Sequence, residues 1–432
     1  MKKLIFLLLL SITLAHGQND TLTIEQSLMM GLNLSKEVKI SNSNVQIADA
    51  QVTSAWSNLL PKLTLGANFN HLSTMPVQLN LPIAPTSPDD VMNVFYANAT
   101  IEQPLFTGFR LLSLKNAAEL NKEASVLDNQ NVKNEKALEI YEAFWNYYKS
   151  LKYVEILEEN LNLLLSQQKN IENFVAAEMA TKNDLLKIKV AVSDVKSKII
   201  DAQHQSKLVL ANFNRVVGLP LNSKTTIITE EINNSIFTEN FDIILGEALS
   251  SRTELLSNDL KSKDASEKVK AERATWFPQI SAFGSYYYMK LDGSSLLNSD
   301  ANNFWMVGIG AQWKIWDWWN TSANTKIAEQ QHFQIDLSNK MLKEKIEMEV
   351  YDAFLKMESE ANKIELNKLQ VESAEENFRI MNNKFLIQVD TSTELAEAST
   401  LLVEAKIKLI TSYVDYKLAS VHLKNSIGRK IY

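Results

Sequence analysis

The sequence predicts a membrane α+β fold that is internally duplicated, with a β-hairpin and two long helices in each copy. Three observations support this fold class. Neither glycine nor proline occurs in residues 109–217 or 311–427, which indicates long helices because turns favour those two residues. The same order of residues recurs about 210 positions further along the chain. Short segments before each glycine-free stretch alternate apolar and polar residues with the period of two that strands have.

The first residues of the chain have the features of a secretory signal. Lys2 and Lys3 precede an apolar run over residues 4–14, and the small residues Ala15 and Gly17 follow it. The run is shorter than the roughly 20 residues that a spanning helix needs, so we expect cleavage after Gly17. Loss of the two lysines would change the formal charge from −7 to −9 (−7 − 2). No later segment is apolar enough to span a bilayer as a helix, so any passage through a membrane must use β-strands.

Composition excludes several classes of protein. The chain of 432 residues has no cysteine, which removes thiol catalysis, cysteine-ligated zinc, iron–sulfur clusters and a lipid-anchored N-terminal cysteine. Its 44 Lys+Arg against 51 Asp+Glu, without a basic block, argue against a nucleic-acid partner. The five histidines are scattered without metal-ligand spacing, and no phosphate-binding or hydrolase motif occurs. We therefore predict no enzyme, no cofactor and no metal site.

Two constant shifts relate the halves of the chain. A shift of 210 aligns residues 140–144 with 350–354 and 181–185 with 391–395, and a shift of 217 aligns Leu60-Pro61 with Phe277-Pro278. The difference of seven (217 − 210) falls between residues 69 and 95, where four prolines predict a longer loop in copy one, at Pro76, Pro82, Pro85 and Pro88. The predicted division is a signal peptide at 1–17, repeat 1 at 18–220, a linker at 221–240 and repeat 2 at 241–432.

Each repeat should begin with one helix and continue into one hairpin, at about residues 60–107 in repeat 1 and 277–317 in repeat 2. In the first strand Leu63, Leu65 and Phe69 share one face, and in the last strand the alternation runs from Trp305 to Ile315. Strands of about ten residues have the length of a tilted membrane strand. Aromatic residues cluster at or near the ends of the second hairpin: Trp276, Trp305, Trp313, Trp316, Trp318, Trp319, Tyr286, Tyr287 and Tyr288. Such residues favour the membrane interface, although a soluble hairpin with an aromatic core is the alternative.

The glycine-free stretches should form four helices, at about residues 112–174, 183–217, 322–385 and 392–427. Apolar residues recur at spacings of three and four along them. A helix of about 60 residues is about 90 Å long, so these helices are expected to pair antiparallel as coiled coils. Four strands cannot close a barrel, because outer-membrane barrels have eight or more strands. Several chains should therefore supply one barrel.

These features together resemble the TolC family of outer-membrane channels over nearly all of the mature chain. The resemblance rests on the duplicated order of elements and on three kinds of motif: Leu60-Pro61-Lys62-Leu63 with Phe277-Pro278-Gln279-Ile280, Gln103-Pro104-Leu105-Phe106-Thr107-Gly108, and the Thr-x-x-Asp/Glu-Leu segments at Thr181 and Thr391. The resemblance implies a homotrimeric outer-membrane β-barrel, with four strands per chain and twelve in all. This barrel would continue into a long periplasmic α-helical coiled-coil barrel.

The resemblance also implies a function and partners. Members of the family are exit channels of tripartite efflux pumps or type I secretion systems, passive conduits in outer-membrane lipid. They are opened by a periplasmic membrane-fusion (adaptor) protein and energised by an inner-membrane RND or ABC transporter. The cargo stays open among drugs, metal ions, polysaccharide and protein. The alternatives are a periplasmic coiled-coil adaptor or scaffold without its own pore, and an exported enzyme, for which no catalytic constellation is present.

The resemblance places a periplasmic gate at the ends of the inner helices. In the family, acidic residues form a ring at the constriction, and the resemblance places Glu394 and Glu397 at those positions. It places Asp184, Phe385 and Asp390 at positions that tie the inner helices to the outer helices in the closed state. Glu394 also completes a capping box with Thr391, so a purely structural role stays open for it. Glu397 has no capping role, which favours the lumen. Asp390 falls where a basic residue is frequent, which favours a solvated helix end.

This chain departs from the family pattern in three turns. The glycine expected before each inner helix is Glu178 in copy one and Gln388 in copy two, which leaves the geometry of these turns open. The glycine pair expected after the second strand is Trp318-Trp319 in copy two, which suits an aromatic interface.

Overall fold

A computed structural model of the chain describes residues 21–72, 92–229, 240–292 and 301–432. The predicted signal peptide and the four loop prolines lie outside the described residues, as does half of the predicted linker, residues 230–239. The chain divides into two compact units. Of the described residues, the first unit comprises 21–41, 129–229, 240–253 and 344–432, and the second comprises 42–72, 92–128, 254–292 and 301–343.

The described elements repeat in the same order in both halves. Copy one contains α1 (Ile24–Leu34), α2 (Lys36–Ser57), β2 (Lys62–Leu72), β3 (Met92–Phe106), α3 (Arg110–Ala176) and α4 (Lys182–Val217). Copy two contains α5 (Phe241–Ser251), α6 (Thr253–Arg273), β5 (Gln279–Asp292), β6 (Asn302–Gln312), α7 (Asn320–Leu386) and α8 (Ser392–Ser426). The short strands β1 (Thr21–Leu22) and β4 (Thr226–Ile227) pair in parallel. The predicted duplication is confirmed, and α3 and α7 are each 67 residues long.

Two predictions of element extent were wrong. The single helix expected before each hairpin is two helices, because the backbone becomes extended at Ser35 and at Arg252. The last strand ends at Gln312 rather than at Ile315. Gln312 pairs with Gln279, which begins β5 directly after a proline, so the neighbouring strand offers no partner beyond that pair.

The four long strands form one antiparallel sheet in the order β2-β3-β5-β6 within the second unit. Residues in register across the sheet form rows, and alternate rows lie on opposite faces. One row joins Leu65, Ala99, Tyr286 and Trp305, and the next joins Gly66, Asn98, Tyr287 and Phe304. The face of the first row is apolar, with Leu63, Leu65, Trp305, Val307 and Ile309 all more than two-thirds exposed. The opposite face carries Thr64, Thr100, Ser285, Asn68 and Asn98 and is polar.

The core of the first unit lies where α1, α3 and α4 meet. Phe144 is fully buried and makes edge-to-face contact with Phe213, with ring centroids 5.9 Å apart. The left-handed residue Gly218 ends α4 against Leu34, and Gly428, just past α8, lies against Ser251 in the same way. Because the shift of 217 relates Leu34 to Ser251 and the shift of 210 relates the two glycines, the duplication extends to these contacts.

Candidate functional site at the inner-helix ends

The turns that join each outer helix (α3 or α7) to its inner helix (α4 or α8) have the same backbone conformation. Glu178 and Gln388 have φ values of 57° and 61°, in the left-handed region that favours glycine. In the first turn the amide of Met179 donates to the Phe174 carbonyl at 2.7 Å, and in the second that of Val389 donates to Lys384 at 2.9 Å. These bonds satisfy carbonyls at the helix end, as in a Schellman motif. The geometry that the sequence left open is therefore the glycine type, adopted without glycine.

Both inner helices begin with a capping box. The Thr181 hydroxyl accepts from the Asp184 amide at 3.2 Å, and the Asp184 carboxylate accepts from the Thr181 amide at 3.2 Å. Thr391 and Glu394 make the corresponding pair at 3.3 and 3.2 Å. The carboxyl groups of Asp184 and Glu394 thus bind orphan amides at positive helix ends, which is a structural role for both.

Three polar contacts join the two helix ends, and we call them the tip contacts. The Ser392 hydroxyl donates to Asp184 at 3.0 Å. The Lys187 ammonium donates to the Thr393 hydroxyl at 3.1 Å. The Gln388 side-chain amide donates to the Met179 carbonyl at 3.0 Å. Each contact joins one repeat to the other, across a sequence separation of more than 200 residues.

An apolar cluster lies behind the tip contacts. Phe385 is 8% exposed and packs edge-to-face on Phe174, with ring centroids 6.1 Å apart. Ile171, Ile188 and Leu395 belong to the same cluster, so all four long helices contribute to it. Of the residues expected to tie helices together, Phe385 joins α7 to this cluster, whereas Asp184 joins the two inner helices.

The acidic residues of the site differ in their surroundings. The Thr181 hydroxyl is the main cause that holds the pKa of Asp184 below its usual range, and the hydroxyl of Ser392 adds to it. A hydrogen bond with the Glu394 carboxyl lowers the pKa of Asp390, and Lys384 lowers it further from 3.6 Å. Asp390 is half-buried and paired, so the expectation of a solvated helix end was wrong. Glu397, one turn further along α8, is exposed and has no ion pair with the described residues.

The sequence reasoning missed several residues of this site. Gln388 was noted only as a replaced glycine, and its bond to Met179 could not be foreseen. Lys187 and Thr393 gave no signal, because residues this far apart in sequence come together only through packing of the two repeats. Ser392 lies beside the capping threonine, and that position was its only signal.

The predicted interface aromatics other than Tyr287 fall into three groups. Trp316, Trp318 and Trp319 lie between β6 and α7, with ring centroids 5.7 to 6.3 Å apart and each side chain more than 60% exposed. Trp313 donates to the Trp276 carbonyl at 3.0 Å. Tyr286 and Trp305 share a row on the apolar face.

Tyr287 does not belong with these residues. It follows Tyr286 in the strand, and strand alternation places its side chain on the polar face. Its side chain therefore lies on the opposite face from Tyr286 and Trp305, a difference that clustering in sequence does not show.

Two kinds of feature are absent from the described residues. In those ranges, no helix combines the length and the apolar character needed to cross a membrane. No group of three or more histidine, aspartate or glutamate side chains with a metal-binding arrangement occurs among them.

The duplicated hairpins and helix pairs define the fold of outer-membrane channels. The VceC outer membrane protein of Vibrio cholerae superposes with a TM-score of 0.79 at 14% identity, covering 95% of this chain and 97% of VceC. The CmeC channel of Campylobacter jejuni gives 0.80 at 14%, covering 94% and 85%. The open state of the MtrE channel of Neisseria gonorrhoeae gives 0.75 at 16%, covering 94% and 89%. No curated protein sequence matches the chain significantly.

The chain belongs to the outer membrane efflux protein family, which it matches over residues 31–219 and 244–429. The resemblance to TolC-like channels is thereby confirmed. The protein is an outer-membrane protein with a periplasmic helical extension, in a family of passive channels rather than enzymes.

Proposed function

We propose that this protein is the exit channel of a tripartite efflux pump or type I secretion system, acting as a homotrimer. The four-stranded sheet carries the proposal. It has one apolar face, one polar face and two edge strands, β2 and β6, each with a single partner among the described strands. Three copies paired edge to edge supply twelve strands, enough to close an outer-membrane barrel that four strands cannot close. The apolar faces would meet lipid and the polar faces would line the pore.

Native mass measurement and planar-bilayer conductance of the detergent-extracted protein test this proposal. A trimer that forms discrete, cation-preferring channels is the expected result. A monomer or dimer that forms no channel would contradict it, and would favour a coiled-coil scaffold without a pore.

The inner-helix ends are proposed as the gate of this channel, closed by the tip contacts. Threefold symmetry would bring Glu394 and Glu397 of each chain into a narrow lumen, where like charges attract cations. The substitution Glu394→Gln separates its two roles, because glutamine keeps the capping box and loses the charge. We expect Glu394→Gln with Glu397→Gln to reduce cation selectivity and block by a trivalent cation.

A matched variant controls for the cap. Glu394→Ala removes the cap and the charge, whereas Glu394→Gln removes the charge alone. If the glutamine variants conduct with unchanged selectivity and unchanged trivalent block, the acidic ring is excluded and Glu394 is only a cap.

Three large apolar side chains make the same helix ends a docking surface for a periplasmic adaptor, which would open the gate while an RND or ABC transporter supplies the energy. Met179, Ile387 and Val389 in the two turns are 56%, 71% and 70% exposed. Ile387→Ser with Val389→Ser should abolish export in cells without changing the conductance of the purified protein. Leu366→Ser, at a 67% exposed position within α7, is the control. Equal loss of export in both variants would contradict a docking role for the turns.

The predicted interface aromatics, with the exception of Tyr287, are proposed to lie at the membrane interface. These are Trp276, Trp305, Trp313, Trp316, Trp318, Trp319 and Tyr286.

The division into signal, two repeats and linker stays a proposal as well, and N-terminal sequencing of the exported protein tests its first boundary. A mature protein that begins at residue 18 is the expected result.

A further inference from the structure

The polar face of the sheet carries an aromatic cluster. Tyr96 on β3, Tyr287 on β5 and Phe304 on β6 form a continuous series of rings, which we call the aromatic array. The Tyr287 and Phe304 rings are stacked, with centroids 4.9 Å apart and planes at 23°. The Tyr96 and Tyr287 rings follow at 5.7 Å and 35°. The array therefore crosses three of the four strands.

The surroundings of the aromatic array are polar but uncharged. The rows that hold the array and the next row toward the helices contain Asn68, Asn98, Thr64, Thr100, Ser285 and Met306 but no charged residue. The first charged residues on this face, Lys62 and Glu102, lie in register with each other further toward the helices. A pocket of about 620 Å³ opens on this face. Tyr287 of the array, Phe283, Thr100 and Ser285 line it together with the charged residues Lys62, Glu102 and Arg110.

The polar neighbours already satisfy one another. The Asn98 amide donates to the Thr100 hydroxyl at 3.1 Å, and that hydroxyl shares a hydrogen bond with Ser285 at 3.0 Å. Ser285 is 6% exposed, whereas Phe304 is 50% exposed. The part of this face that the array and the next row form is therefore largely aromatic, and no residue of these rows carries a charge that would select by electrostatics.

We propose that the aromatic array is a contact site for cargo that carries an uncharged aromatic ring, which packs against Tyr96, Tyr287 and Phe304 as it passes through the pore. This inference rests on the proposed channel function, since only a pore brings cargo to this face. Aromatic rings attract one another in stacked or edge-to-face geometry beyond the burial of their area. The stacked faces of Tyr287 and Phe304 are turned toward each other, which leaves the ring edges and the outer face of Phe304 for an incoming ring. Stabilisation of the sheet by cross-strand aromatic pairs is the structural alternative.

Two sugar probes that differ in one group test the proposal. Methyl β-D-glucoside and phenyl β-D-glucoside share the sugar, and only the second carries an aromatic ring. Each is added at the strand side of single channels of the full-length protein in planar bilayers. We expect the phenyl compound to block current in a concentration-dependent manner, and the methyl compound to have little effect at equal concentration.

The variants Tyr287→Leu and Phe304→Leu keep an apolar side chain and remove the ring. Each should weaken block by the phenyl compound by about two- to tenfold, the range of one aromatic contact. Tyr288→Leu is the matched control, because the next residue of the same strand lies on the opposite face and should leave the block unchanged.

Each result decides between explanations. Equal block by both probes, or block that persists in Tyr287→Leu and Phe304→Leu channels, would overturn the aromatic site and leave the channel function intact. Unchanged block together with a lower thermal midpoint in these variants would assign the array to sheet stability alone. A wild-type protein that forms no channel would refute the proposed function, and this inference would fall with it.

Discussion

Replacing Glu178 by glycine should stabilise the turn between α3 and α4. Glu178 holds a φ of 57°, and an L-residue with a side chain pays about 1–2 kcal/mol for the left-handed conformation. Glycine avoids that cost but loses more backbone entropy on folding, by about 0.5–1 kcal/mol. The exposed Glu178 side chain makes no ion pair or hydrogen bond with the described residues, so its removal costs nothing further. The net gain should be about 0.5–1 kcal/mol.

Gln388 provides an internal contrast at the same backbone geometry. Its φ is 61°, so glycine relieves the same strain. However, Gln388→Gly also removes the hydrogen bond to the Met179 carbonyl, and such bonds contribute about 0.5–1.5 kcal/mol. The two effects should cancel, and Gln388→Gly should leave local stability nearly unchanged.

Hydrogen exchange of the amides in the first turn measures this difference. The Met179 and Ala180 amides both donate to the Phe174 carbonyl, at 2.7 and 3.2 Å, so they exchange only when the turn opens. Glu178→Gly should slow their exchange about two- to fivefold, the factor that corresponds to about 0.5–1 kcal/mol. Glu178→Ala keeps the left-handed penalty and should show no such protection. If the alanine and glycine variants exchange equally, strain at Glu178 is not the determinant of turn stability.

Three further predictions concern residues of the first unit. Gly218→Ala should lower the thermal midpoint and cost about 1–3 kcal/mol, because its φ is 88° and an added Cβ would lie 2.8 Å from the Leu34 Cβ. Gly246→Ala, inside α5 with open space around it, should raise stability by about 0.5–1 kcal/mol in the same melting experiment. Asp184 has a lowered folded-state pKa, so its stabilising contribution is present above the unfolded value of about 3.9 and is lost as the pH falls through the folded pKa. Channel opening measured from pH 6 down to pH 3 should therefore rise at the acid end in the wild type, and Asp184→Asn should lack this acid-dependent rise.

Periodicity predicted the elements of this fold well because each element exposes a regular face. The predicted helix at 112–174 is Arg110–Ala176, and that at 392–427 is Ser392–Ser426. The breaks at Ser35 and Arg252 were missed, because neither residue is glycine or proline. The Ser35 hydroxyl accepts from the Val38 amide at 3.2 Å, a local cap, whereas Arg252 donates to the distant Ser426 carbonyl at 3.0 Å. The alternation of side chains along β5 could be read from the sequence, and it places Tyr287 on the face opposite to Tyr286. The neighbours of Tyr287 on that face follow only from the register of β5 with β3 and β6.

The candidate site was less predictable than the fold. Capping boxes are local, so the roles of Thr181 and Thr391 could be read from spacing. The bonds from Ser392 to Asp184 and from Gln388 to Met179 join residues separated by 208 and 209 positions. Such contacts depend on how two repeats pack, and no local pattern encodes them.

The turn after the second strand separates what the backbone requires from what each copy requires of its side chains. Gly108-Phe109 and Trp318-Trp319, related by the shift of 210, all have φ between 54° and 69°. In copy one a Cβ on Gly108 would lie 2.6 Å from the Ala274 carbonyl oxygen, so close packing requires glycine. In copy two the side chains of Trp318 and Trp319 are 76% and 67% exposed, so close packing does not require glycine there. Each tryptophan still carries a left-handed cost of about 1–2 kcal/mol that glycine would avoid. The exposed tryptophans therefore cost backbone energy without packing inside the fold. A favourable contact with the membrane interface would offset that cost, which supports the proposed position of this turn.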